Sequence, residues 1–353
     1  MNPSFWSGRR VLLTGHTGFK GAWSAMMLRA LGAEVYGCSL PPDDMSLFVA
    51  GGVAGDVHHA IGDIRDYAAL KRVVDEAKPS VVIHMAAQSL VRRSYQEPVE
   101  TYATNVMGTV HLLEAIRGLG GVDAVVVVTS DKVYENTGHG ERHLEGDRLG
   151  GYDPYSSSKA CAELLTAAYR RSFFGREGSA AVASVRAGNV IGGGDWAQDR
   201  LVPDAIRAFS TGESLRIRSP RAVRPWQHVL DAITGYLALA ERLASKSADY
   251  SGAWNFGPTQ DSEVPVETVV SKLVALWGGS AQWAIEPGDH PHESACLRLD
   301  SSKSLEKLGW RPSFDLDESL RLTFEWYRSF YERNDVRAVA QMQITKAIDV
   351  CCN

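Results

Sequence analysis

The sequence predicts a doubly wound α/β fold, in which helices cover both faces of a mostly parallel sheet. Through the first half of the chain, short apolar runs alternate with segments of helical spacing. The first apolar run leads into a glycine-rich turn, and a helical pattern follows the turn. The chain has 353 residues, 44% of them hydrophobic and 22% charged, so it can bury a full core. Alternating strands and helices favour a parallel sheet.

The first strand, turn and helix form one predicted unit. The run VLLTG covers residues 11–15, GHTGFKG covers 15–21, and AWSAMMLRALG keeps helical spacing up to a glycine. Gly15, Gly18 and Gly21 suit a Rossmann-type dinucleotide turn, since they permit a tight turn, a close pyrophosphate and close helix packing. The helix N-terminus then offers N–H groups to the phosphates. A glycine triplet alone also fits an ordinary turn, so its flanking elements carry the prediction.

The later elements continue the same alternation. Helical segments lie between most of the further strands, which are predicted at residues 34–39, 57–63, 80–87, 124–131 and 181–187. After about residue 187 the alternation gives way to loops rich in Gly, Pro and Arg, and a helical segment follows near 228–246. No internal repeat interrupts the pattern.

These elements predict a division of the chain. We expect a Rossmann domain over residues 1–187, which the chain rejoins at about 225–252. A smaller C-terminal substrate-binding lobe is expected mainly over 188–330. Residues 331–353 are expected to form a C-terminal tail, with a solvent-facing helix and a loose end.

Composition and charge narrow the function classes. The net charge of −5 argues against nucleic-acid binding, and no long apolar span predicts a membrane segment. Because the glycine turn begins near Thr14, we expect no cleaved presequence and a cytoplasmic protein. No metal site is predicted, because neither a disulfide nor a zinc pattern is formed by Cys38, Cys161, Cys296, Cys351 and Cys352.

Two residues of YSSSK are candidates for acid–base chemistry. Tyr155 and Lys159 stand four residues apart at the start of a helical segment, which places both on one face. A lysine ammonium one turn away favours the phenolate, so the tyrosine can act as a general base. The pair alone also fits a packed ring with a solvated lysine. The glycine turn and Ser130 favour the catalytic interpretation.

Ser130, Asp131 and Lys132 follow the apolar run VVVVT. The carboxyl ends of strands are where open α/β sheets bind ligands. Side chains alternate along a regular strand, so Asp131 would face away from the other two. All three can reach one substrate only if the strand ends at about Ser130.

The motifs TGHTGFKG, HMAAQ, TSDKVY and YSSSK, in this order and spacing, resemble the extended short-chain dehydrogenase/reductase family that acts on nucleotide sugars. The resemblance covers roughly residues 8–330. With SLPP, RPWQHV and DHPHE added, the sequence most resembles the CDP-glucose branch of the 4,6-dehydratases. This implies NAD as cofactor, CDP-glucose as substrate and deoxysugar biosynthesis, such as that of lipopolysaccharide O-antigen. It also implies a homodimer or a dimer of dimers, formed through helices near 97–119 and 154–175.

The resemblance implies conversion of CDP-D-glucose to CDP-4-dehydro-6-deoxy-D-glucose and water. Tyr155 would be the base at the C4 hydroxyl, Ser130 would hydrogen-bond that oxygen, and Lys159 would hold the ribose and tune the tyrosine. Asp131 would be the acid for water loss, and Lys132 the base at C5. Other branches have glutamate at this last position, and a lysine can be a base only when neutral. A cationic stabiliser, or a partner of Asp131, is therefore the alternative for Lys132.

The resemblance also implies the cofactor contacts. Ser39 stands where an acidic residue usually binds the ribose 2′-hydroxyl. With His16 and Lys20 nearby, the residues leave NADP open, and the resemblance favours NAD. Asp63 alternatively fits a helix cap. The predicted cofactor residues are Gly15, His16, Thr17, Gly18, Phe19, Lys20, Gly21, Ser39, Asp63, Ile64, Ala86, Ala87, Gln88, Tyr155 and Lys159.

A basic segment, RIRSPRAVRPW, is the candidate for the substrate diphosphate, because arginine forks suit phosphate oxygens. A solvated loop is the alternative for at least two of its four arginines, and an ordinary surface position is the alternative for the histidines. The predicted substrate residues are Ser89, Asn189, Arg200, Leu201, Val202, Arg216, Arg218, Arg224, His290 and His292.

Two other functions are weighed. A nucleotide-sugar 4-epimerase or decarboxylase needs the C4 ketone but no acid–base pair for C6, so Asp131 and Lys132 argue against it. A dinucleotide-binding scaffold without turnover would typically lack Tyr155 or Lys159, and both are present.

Overall fold

Parallel strands form the main sheet in a computed structural model, which describes residues 1–136, 138, 140–176, 178–246, 248–288 and 294–352. The strands are β1 Arg10–Thr14, β2 Glu34–Ser39, β3 His58–Ile61, β4 Val81–His84, β5 Ala124–Val128, β6 Ala181–Ala187, β7 Asn189–Ile191, β8 Leu215–Ile217, β9 Val223–His228, β10 Gly252–Phe256, β11 Glu263–Pro265 and β12 Trp283–Ile285. The helices are α1 Pro3–Trp6, α2 Phe19–Ala30, α3 Leu47–Ala50, α4 Tyr67–Ala77, α5 Val91–Gln96, α6 Pro98–Tyr102, α7 Gly108–Arg117, α8 Pro154–Ser172, α9 Leu201–Thr211, α10 Val229–Lys246, α11 Val266–Trp277, α12 Ser302–Leu308, α13 Leu316–Tyr331 and α14 Val336–Cys352.

The main sheet has seven strands in the described residues, in the order β10-β6-β5-β4-β1-β2-β3. Every neighbouring pair is parallel. Strands β1 to β6 have the spatial order 3-2-1-4-5-6 that is typical of dinucleotide-binding folds. Strand β10 extends the sheet beside β6. The predicted doubly wound parallel α/β fold is confirmed.

Helices on both faces explain why the central strands are uniformly apolar. β5 is AVVVV and is buried at every position, because both faces of the strand pack against helices. Alternate residues belong to two cores: Val11 packs in the core with α2 and α10, and Leu12 packs in the core with α4 and α7. The sheet is therefore a rigid platform whose carboxyl edge carries the loops.

A smaller group of elements lies beyond this edge. A three-stranded sheet has the order β11-β9-β7, and β12 pairs with β8. From β9 the chain passes into α10, which packs against β5 and β6, and then into β10 of the main sheet. The division into domains stays a prediction.

The expectation of a loose, solvent-facing tail after residue 331 is wrong. α14 packs against α2, α3, α10 and α13. It buries one stripe of side chains at helical spacing, which consists of Val336, Ala340, Ile344 and Ala347. Burial of this apolar stripe stabilises α14 against the core, although the other faces of the helix are polar. Among the described residues, no helix has the length and apolar character needed to span a bilayer.

Candidate active site

A cleft of about 1110 Å³ runs along the carboxyl edge of the main sheet, and residues of β7, α9, β8 and β9 complete its lining. It brings together segments that are distant in the sequence. The predicted residues that line it are Gly15, Thr17, Gly18, Phe19, Lys20, Gly21, Ser39, Asp63, Ile64, Ala86, Ala87, Gln88, Ser89, Ser130, Asp131, Lys132, Tyr155, Lys159, Asn189, Arg200, Leu201, Val202, Arg216, Arg218 and Arg224. Their roles stay predictions.

One predicted residue, His16, does not line this cleft. The His16 side chain is fully buried behind the glycine turn, and its Nε2 lies 2.6 Å from His59 Nδ1. Its imidazole also packs against the Phe48 ring. His290 and His292 lie outside the described residues.

The glycine turn fits a dinucleotide. Gly15 has φ +78°, and a Cβ there would lie 2.7 Å from the Ala86 nitrogen. A Cβ on Gly21 would lie 2.0 Å from the Gly15 carbonyl oxygen, so α2 can start this close to the turn only with glycine. Gly18 caps α2 without a side-chain hydrogen bond. The first N–H groups of α2 are thus left for an anionic ligand such as a pyrophosphate.

His16 and Lys20, the basic residues that made NADP an alternative cofactor, do not provide a site for its 2′-phosphate. Burial lowers the pKa of His16 to about 4, so its imidazole is neutral at pH 7. Lys20 Nζ lies 3.5 Å from the Tyr236 hydroxyl. The Ser39 hydroxyl is hydrogen-bonded to Thr17 Oγ1 at 2.7 Å, and it supplies the small polar group at the end of β2.

Asp63 is not the cap of the following helix. Asp66 caps α4 by accepting a hydrogen bond from the Ala69 N–H at 3.0 Å. The Asp63 carboxylate is instead bound by Arg65, through its backbone N–H and its guanidinium Nε at 2.8 Å each. The Gln88 side chain donates to Thr101 Oγ1 at 2.9 Å, so it shapes the wall of the cleft.

Tyr155 and Lys159 project from the first turns of α8 into the centre of the cleft. Asp153 caps this helix by accepting a hydrogen bond from the Ser156 N–H at 2.9 Å. Burial raises the pKa of Tyr155 to about 12, although its hydrogen bond with Ser130 acts in the opposite direction. Burial also lowers the pKa of Lys159 to about 8, and its ammonium donates to the Val128 carbonyl at 3.1 Å.

The strand β5 ends before Ser130, as a shared site requires. It stops at Val128, and a 3₁₀ turn covers Asp131–Val133. Ser130 Oγ accepts from the Lys132 N–H at 3.2 Å, which fixes the turn. This change of backbone direction removes the alternation of a regular strand, so Ser130, Asp131 and Lys132 all line the cleft.

Asp131 is the buried carboxylate of this turn. It is 1% exposed, and its Oδ1 accepts from Ser130 Oγ and from Lys132 Nζ, each at 3.1 Å. Its Oδ2 is buried without a hydrogen-bond partner among the described residues. The arrangement therefore holds one carboxylate oxygen and leaves the other for a ligand hydroxyl.

Lys20 lies in the same region of the cleft. Burial lowers the pKa of Lys20 to about 7, and the nearby Arg200, Lys159 and Lys132 act in the same direction, whereas Asp131 opposes them. The cleft thus brings several basic side chains close to the buried Asp131, which suits an anionic intermediate.

The substrate arginines differ in what holds them. Arg200 donates to Asp195 Oδ2 at 2.8 Å and to Ser89 Oγ at 2.9 Å, so it joins the two walls of the cleft. Arg224 is 7% exposed, whereas Arg216 is exposed. Asn189 Oδ1 is buried without a hydrogen-bond partner among the described residues, and Asn189 lines the cleft.

Sequence reasoning missed several residues at the site. Arg92 and Asp199 were missed: Arg92 and the predicted Arg218 both donate to Asp199 Oδ1 at 2.9 Å, and no sequence signal indicates this pairing between distant segments. The Tyr236 hydroxyl on α10 lies 3.5 Å from Lys20 Nζ, and this contact could be predicted only from the packing of α10 against β5. Glu163 could have been predicted, because it lies one turn after Lys159 on α8 and therefore on the same face of the helix.

The sequence profile of the NAD dependent epimerase/dehydratase family matches residues 11–257. The chain belongs to this family. It is 46% identical over 350 residues to a CDP-glucose 4,6-dehydratase of Salmonella typhimurium, which covers 98% of each chain. It is 26% identical over 335 residues to a dTDP-glucose 4,6-dehydratase of Xanthomonas campestris, covering 90% of this chain and 92% of the relative.

A solved structure with a similar fold also holds the family's cofactor. The UDP-glucose 4-epimerase of Thermus thermophilus, solved as a complex with NAD, superposes with a TM-score of 0.77 at 25% identity. The match covers 90% of this chain and 99% of that one. The cofactor of this family member is NAD, in agreement with the glycine turn.

Proposed function

We propose that this chain is a CDP-D-glucose 4,6-dehydratase. It converts CDP-D-glucose to CDP-4-dehydro-6-deoxy-D-glucose and water by oxidation at C4, elimination across C5 and C6, and return of the hydride to C6. The similarity to the Salmonella typhimurium enzyme over almost the whole chain supports the choice of substrate.

The observation that carries the reaction type is the Asp131–Lys132 pair beside Tyr155 and Ser130. Tyr155, Ser130 and Lys159 suffice for oxidation and reduction at C4, which is all that a 4-epimerase needs. Loss of the C6 hydroxyl also needs an acid, and removal of the C5 hydrogen needs a base. Asp131 and Lys132 supply both groups at one turn, 3.1 Å apart.

NAD, when bound, supplies the oxidant that takes a hydride from C4 and returns it at C6. Gly15, Gly18 and Gly21 leave room for a pyrophosphate at the N-terminus of α2, and Ser39, which lines the same cleft, would hold one ribose. Lys159 would hold the second ribose.

The protein's own groups handle the protons. Tyr155 accepts the proton of the C4 hydroxyl, and Ser130 hydrogen-bonds the same oxygen. The resulting C4 ketone acidifies the C5 hydrogen. Lys132 either removes this proton as a base or, as a cation, stabilises the enolate that forms. Asp131 protonates the departing C6 hydroxyl, so that water leaves rather than hydroxide.

Arginines and one amide hold the nucleotide part of the substrate. Arg218 and Arg224 line the cleft beyond the sugar position and supply positive charge for the diphosphate. Asn189 contributes a buried polar oxygen that has no hydrogen-bond partner among the described residues. The segment at Leu201 and Val202 flanks the nucleoside.

The setting proposed for this activity is a homodimer or a dimer of dimers in the cytoplasm, within deoxysugar biosynthesis such as that of lipopolysaccharide O-antigen. α6 and α8 present exposed apolar side chains for an interface, including Val99 at 82% and Leu164 at 59% exposure. The polypeptide partner is a second copy of this chain, and the remaining partner is CDP-glucose.

A panel of CDP-, dTDP-, UDP- and GDP-glucose tests the proposal, with products identified by mass and NMR. CDP-glucose is expected to give the 4-dehydro-6-deoxy product with the highest kcat/KM. Substrate deuterated at C4 should give product deuterated at C6, without net consumption of NAD. Stoichiometric release of NADH would instead identify an ordinary dehydrogenase, and interconversion at C4 without loss of water would identify an epimerase.

A further inference from the structure

His84, the last residue of β4, lies in a buried chain of hydrogen bonds behind the cleft. Its Nδ1 lies 2.7 Å from Thr14 Oγ1, and its Nε2 lies 3.1 Å from Thr109 Oγ1. All three side chains are buried, and none of these three residues lines the cleft. The histidine can therefore act on the site only through its neighbours.

The two threonines fix the tautomer of His84. Thr109 Oγ1 donates its hydrogen to the Asn105 carbonyl at 2.7 Å, so it can only accept a hydrogen bond from His84 Nε2. Thr14 Oγ1 accepts from the first two backbone N–H groups after His84, at 3.2 Å each, which leaves its own hydrogen for His84 Nδ1. Burial lowers the pKa of His84 to about 3, which agrees with a neutral ring that carries its hydrogen on Nε2.

The Thr14 end of the chain reaches the cofactor turn. Thr14 directly precedes Gly15, and the two N–H groups that it binds belong to Met85 and Ala86, which line the cleft. A Cβ on Gly15 would lie 2.7 Å from the Ala86 nitrogen, so the turn and this loop are in close contact. The orientation of the Thr14 hydroxyl, which His84 fixes, therefore sets the spacing of two backbone segments of the cofactor site.

The other end of the chain reaches the catalytic helix. From His84 it passes through Thr109 to Asn105, whose side-chain amide donates to Ser158 Oγ at 2.9 Å. Ser158 Oγ in turn donates to the Tyr155 carbonyl at 2.7 Å. The position of Tyr155 on α8 is thus linked to His84 through side chains that are all buried.

Asn105 occupies a π-helical turn, Ala103–Met107, between α6 and α7. Such turns interrupt regular helices, frequently at functional sites. The Asn105 side chain also accepts from the Gln88 N–H and donates to the Gln88 carbonyl, at 2.9 Å each. It therefore holds the loop after β4 and the catalytic helix at the same time.

We propose that His84 is a positioning residue that couples the glycine turn to the helix that carries Tyr155. Through Thr14 it holds the cofactor turn, and through Thr109 it holds Asn105, so the cofactor site and the catalytic tyrosine are aligned together. The effect on turnover rests on the proposed function, because Tyr155 starts that reaction, whereas the effect on cofactor affinity does not.

Thr109→Val tests the coupling without altering the lining of the cleft. Calorimetric titration with NAD should show an affinity lowered by roughly 3- to 10-fold, the range of one lost buried hydrogen bond. The reason is that His84 Nε2 loses its acceptor, so the ring no longer holds Thr14. The affinity for CDP should stay unchanged. Wild-type NAD affinity in this variant would overturn the proposal.

Thr323→Val is the matched control. Thr323 is a buried residue of α13, and its Oγ1 donates to the Ser319 carbonyl at 2.7 Å, the same bond to the fourth residue back that Thr109 makes to Asn105. Both variants should lose similar stability in urea, but Thr323→Val should keep the NAD affinity of the wild type. An equal loss of NAD affinity in both would show a general structural effect and overturn the proposal.

His84→Gln and His84→Leu separate hydrogen bonding from packing. The glutamine amide offers an acceptor and a donor in place of Nδ1 and Nε2, whereas leucine fills a similar volume with neither. His84→Gln should keep NAD affinity and kcat within a few-fold of the wild type, and His84→Leu should lower both by roughly 10-fold or more. Equal values in the two variants would contradict a hydrogen-bonding role. Thr109→Val decides alone where His84→Leu fails to fold.

Nitrogen NMR of isotope-labelled histidines observes the tautomer directly. The His84 signals are identified by their absence in His84→Gln, and they should show hydrogen on Nε2 and none on Nδ1. This readout needs neither substrate nor turnover. Hydrogen on Nδ1 would reverse both hydrogen bonds and overturn the assignment.

A double-variant cycle measures the coupling through the histidine. Thr14→Val and Thr109→Val break the chain on opposite sides of His84, so their effects on NAD affinity should be non-additive. The double variant should bind NAD only slightly more weakly than the weaker of the single variants. Additive effects would reveal two independent contacts and contradict the coupling.

Failure of the positioning role and failure of the proposed function are distinguishable. A protein that binds NAD but does not dehydrate CDP-glucose contradicts the proposed function, and the NAD titrations still decide the role of His84. A protein that dehydrates CDP-glucose, with NAD affinity undiminished in Thr109→Val, overturns the positioning role alone.

Discussion

Arg186 and Glu163 form a buried two-point ion pair, in which Nε and Nη2 of the guanidinium each lie 2.9 Å from a different carboxylate oxygen. The same carboxylate accepts from Thr129 Oγ1 at 2.5 Å and from Ser184 Oγ at 2.6 Å. Glu163 lies one turn after Lys159 on α8. The network therefore anchors α8, which carries Tyr155 and Lys159, to β6 and to the residue that follows β5.

Glu163→Gln should strongly destabilise the protein. The Arg186 guanidinium would stay buried without a counter-ion, and loss of one partner of a buried pair typically costs about 3–5 kcal/mol. Urea unfolding measures the change in the free energy of unfolding. Glu114→Gln is the matched control, because it removes a half-exposed helical pair with Arg117 that is worth less than about 1 kcal/mol. Equal stability of the two variants would contradict the fastening role.

Tyr155→Phe should keep substrate binding and lose turnover by roughly 10²-fold or more, since only the acid–base hydroxyl is removed. Steady-state kcat and the affinity for CDP-glucose, measured on the same preparation, distinguish this result from a collapsed site. Turnover close to that of the wild type would exclude the tyrosine from the mechanism.

Lys132→Ala should stop the reaction halfway. If Lys132 is the base, C4 is still oxidised and bound NADH accumulates, while water loss and solvent-deuterium exchange at C5 both fail. Lys132→Glu should then restore part of the activity, because a glutamate accepts a proton without first becoming neutral.

A cationic role for Lys132 predicts the opposite order of the two variants. Its Nζ donates to Asp131 Oδ1 at 3.1 Å, and a glutamate would place a second carboxylate beside a developing enolate. Lys132→Glu would then be less active than Lys132→Ala. The order of the two kcat values decides between the roles, and wild-type C5 exchange in Lys132→Ala would exclude the lysine as base.

Asp199→Asn should bind CDP more tightly. Asp199 Oδ1 accepts from Arg92 and from Arg218, so this carboxylate competes with a diphosphate for Arg218. The gain should be a few-fold in Kd, the range of a partly exposed pair, and it should shrink at high salt. Calorimetric titration at two ionic strengths checks this, with Asp75→Asn as a surface control. Weaker binding would show that Asp199 holds Arg218 in its binding position.

Asp231 should make stability depend on pH in an unusual direction. It is fully buried, and burial raises its pKa from 3.8 to about 7. Between these values the folded protein keeps a proton that the unfolded chain releases, so the free energy of unfolding falls as the pH rises, by on the order of 4 kcal/mol. Asp231→Asn should lack this slope, and Asp317→Asn on the surface should retain it. Parallel wild-type and Asp231→Asn curves would contradict the assignment.

The sequence predicted the sheet because its central strands are continuous apolar runs between turn signals. The residues 124–128 are five consecutive apolar positions, and burial on both faces produces such a run. The end of β5 was foreseen from chemistry, since Ser130, Asp131 and Lys132 can meet only where strand alternation stops.

Contacts between distant segments were not predictable from one sequence. Nothing local indicates that Asp199 meets Arg92, or that the Tyr134 hydroxyl donates to Asn255 at 2.7 Å, 121 residues away. The burial of α14 was missed although it had a signal. Its apolar residues recur at helical spacing, but the stripe is narrow and the surrounding residues are polar.

The position of α14 has a consequence for how the chain reaches its final form. During synthesis α2 emerges early, directly after the glycine turn, whereas α14 emerges only after every strand of the main sheet. Until α14 arrives, the apolar surface of α2 and α10 that it covers faces water. A nascent chain of this protein therefore exposes an aggregation-prone apolar surface next to the glycine turn for most of its translation. Dependence on chaperones should be greatest at this stage.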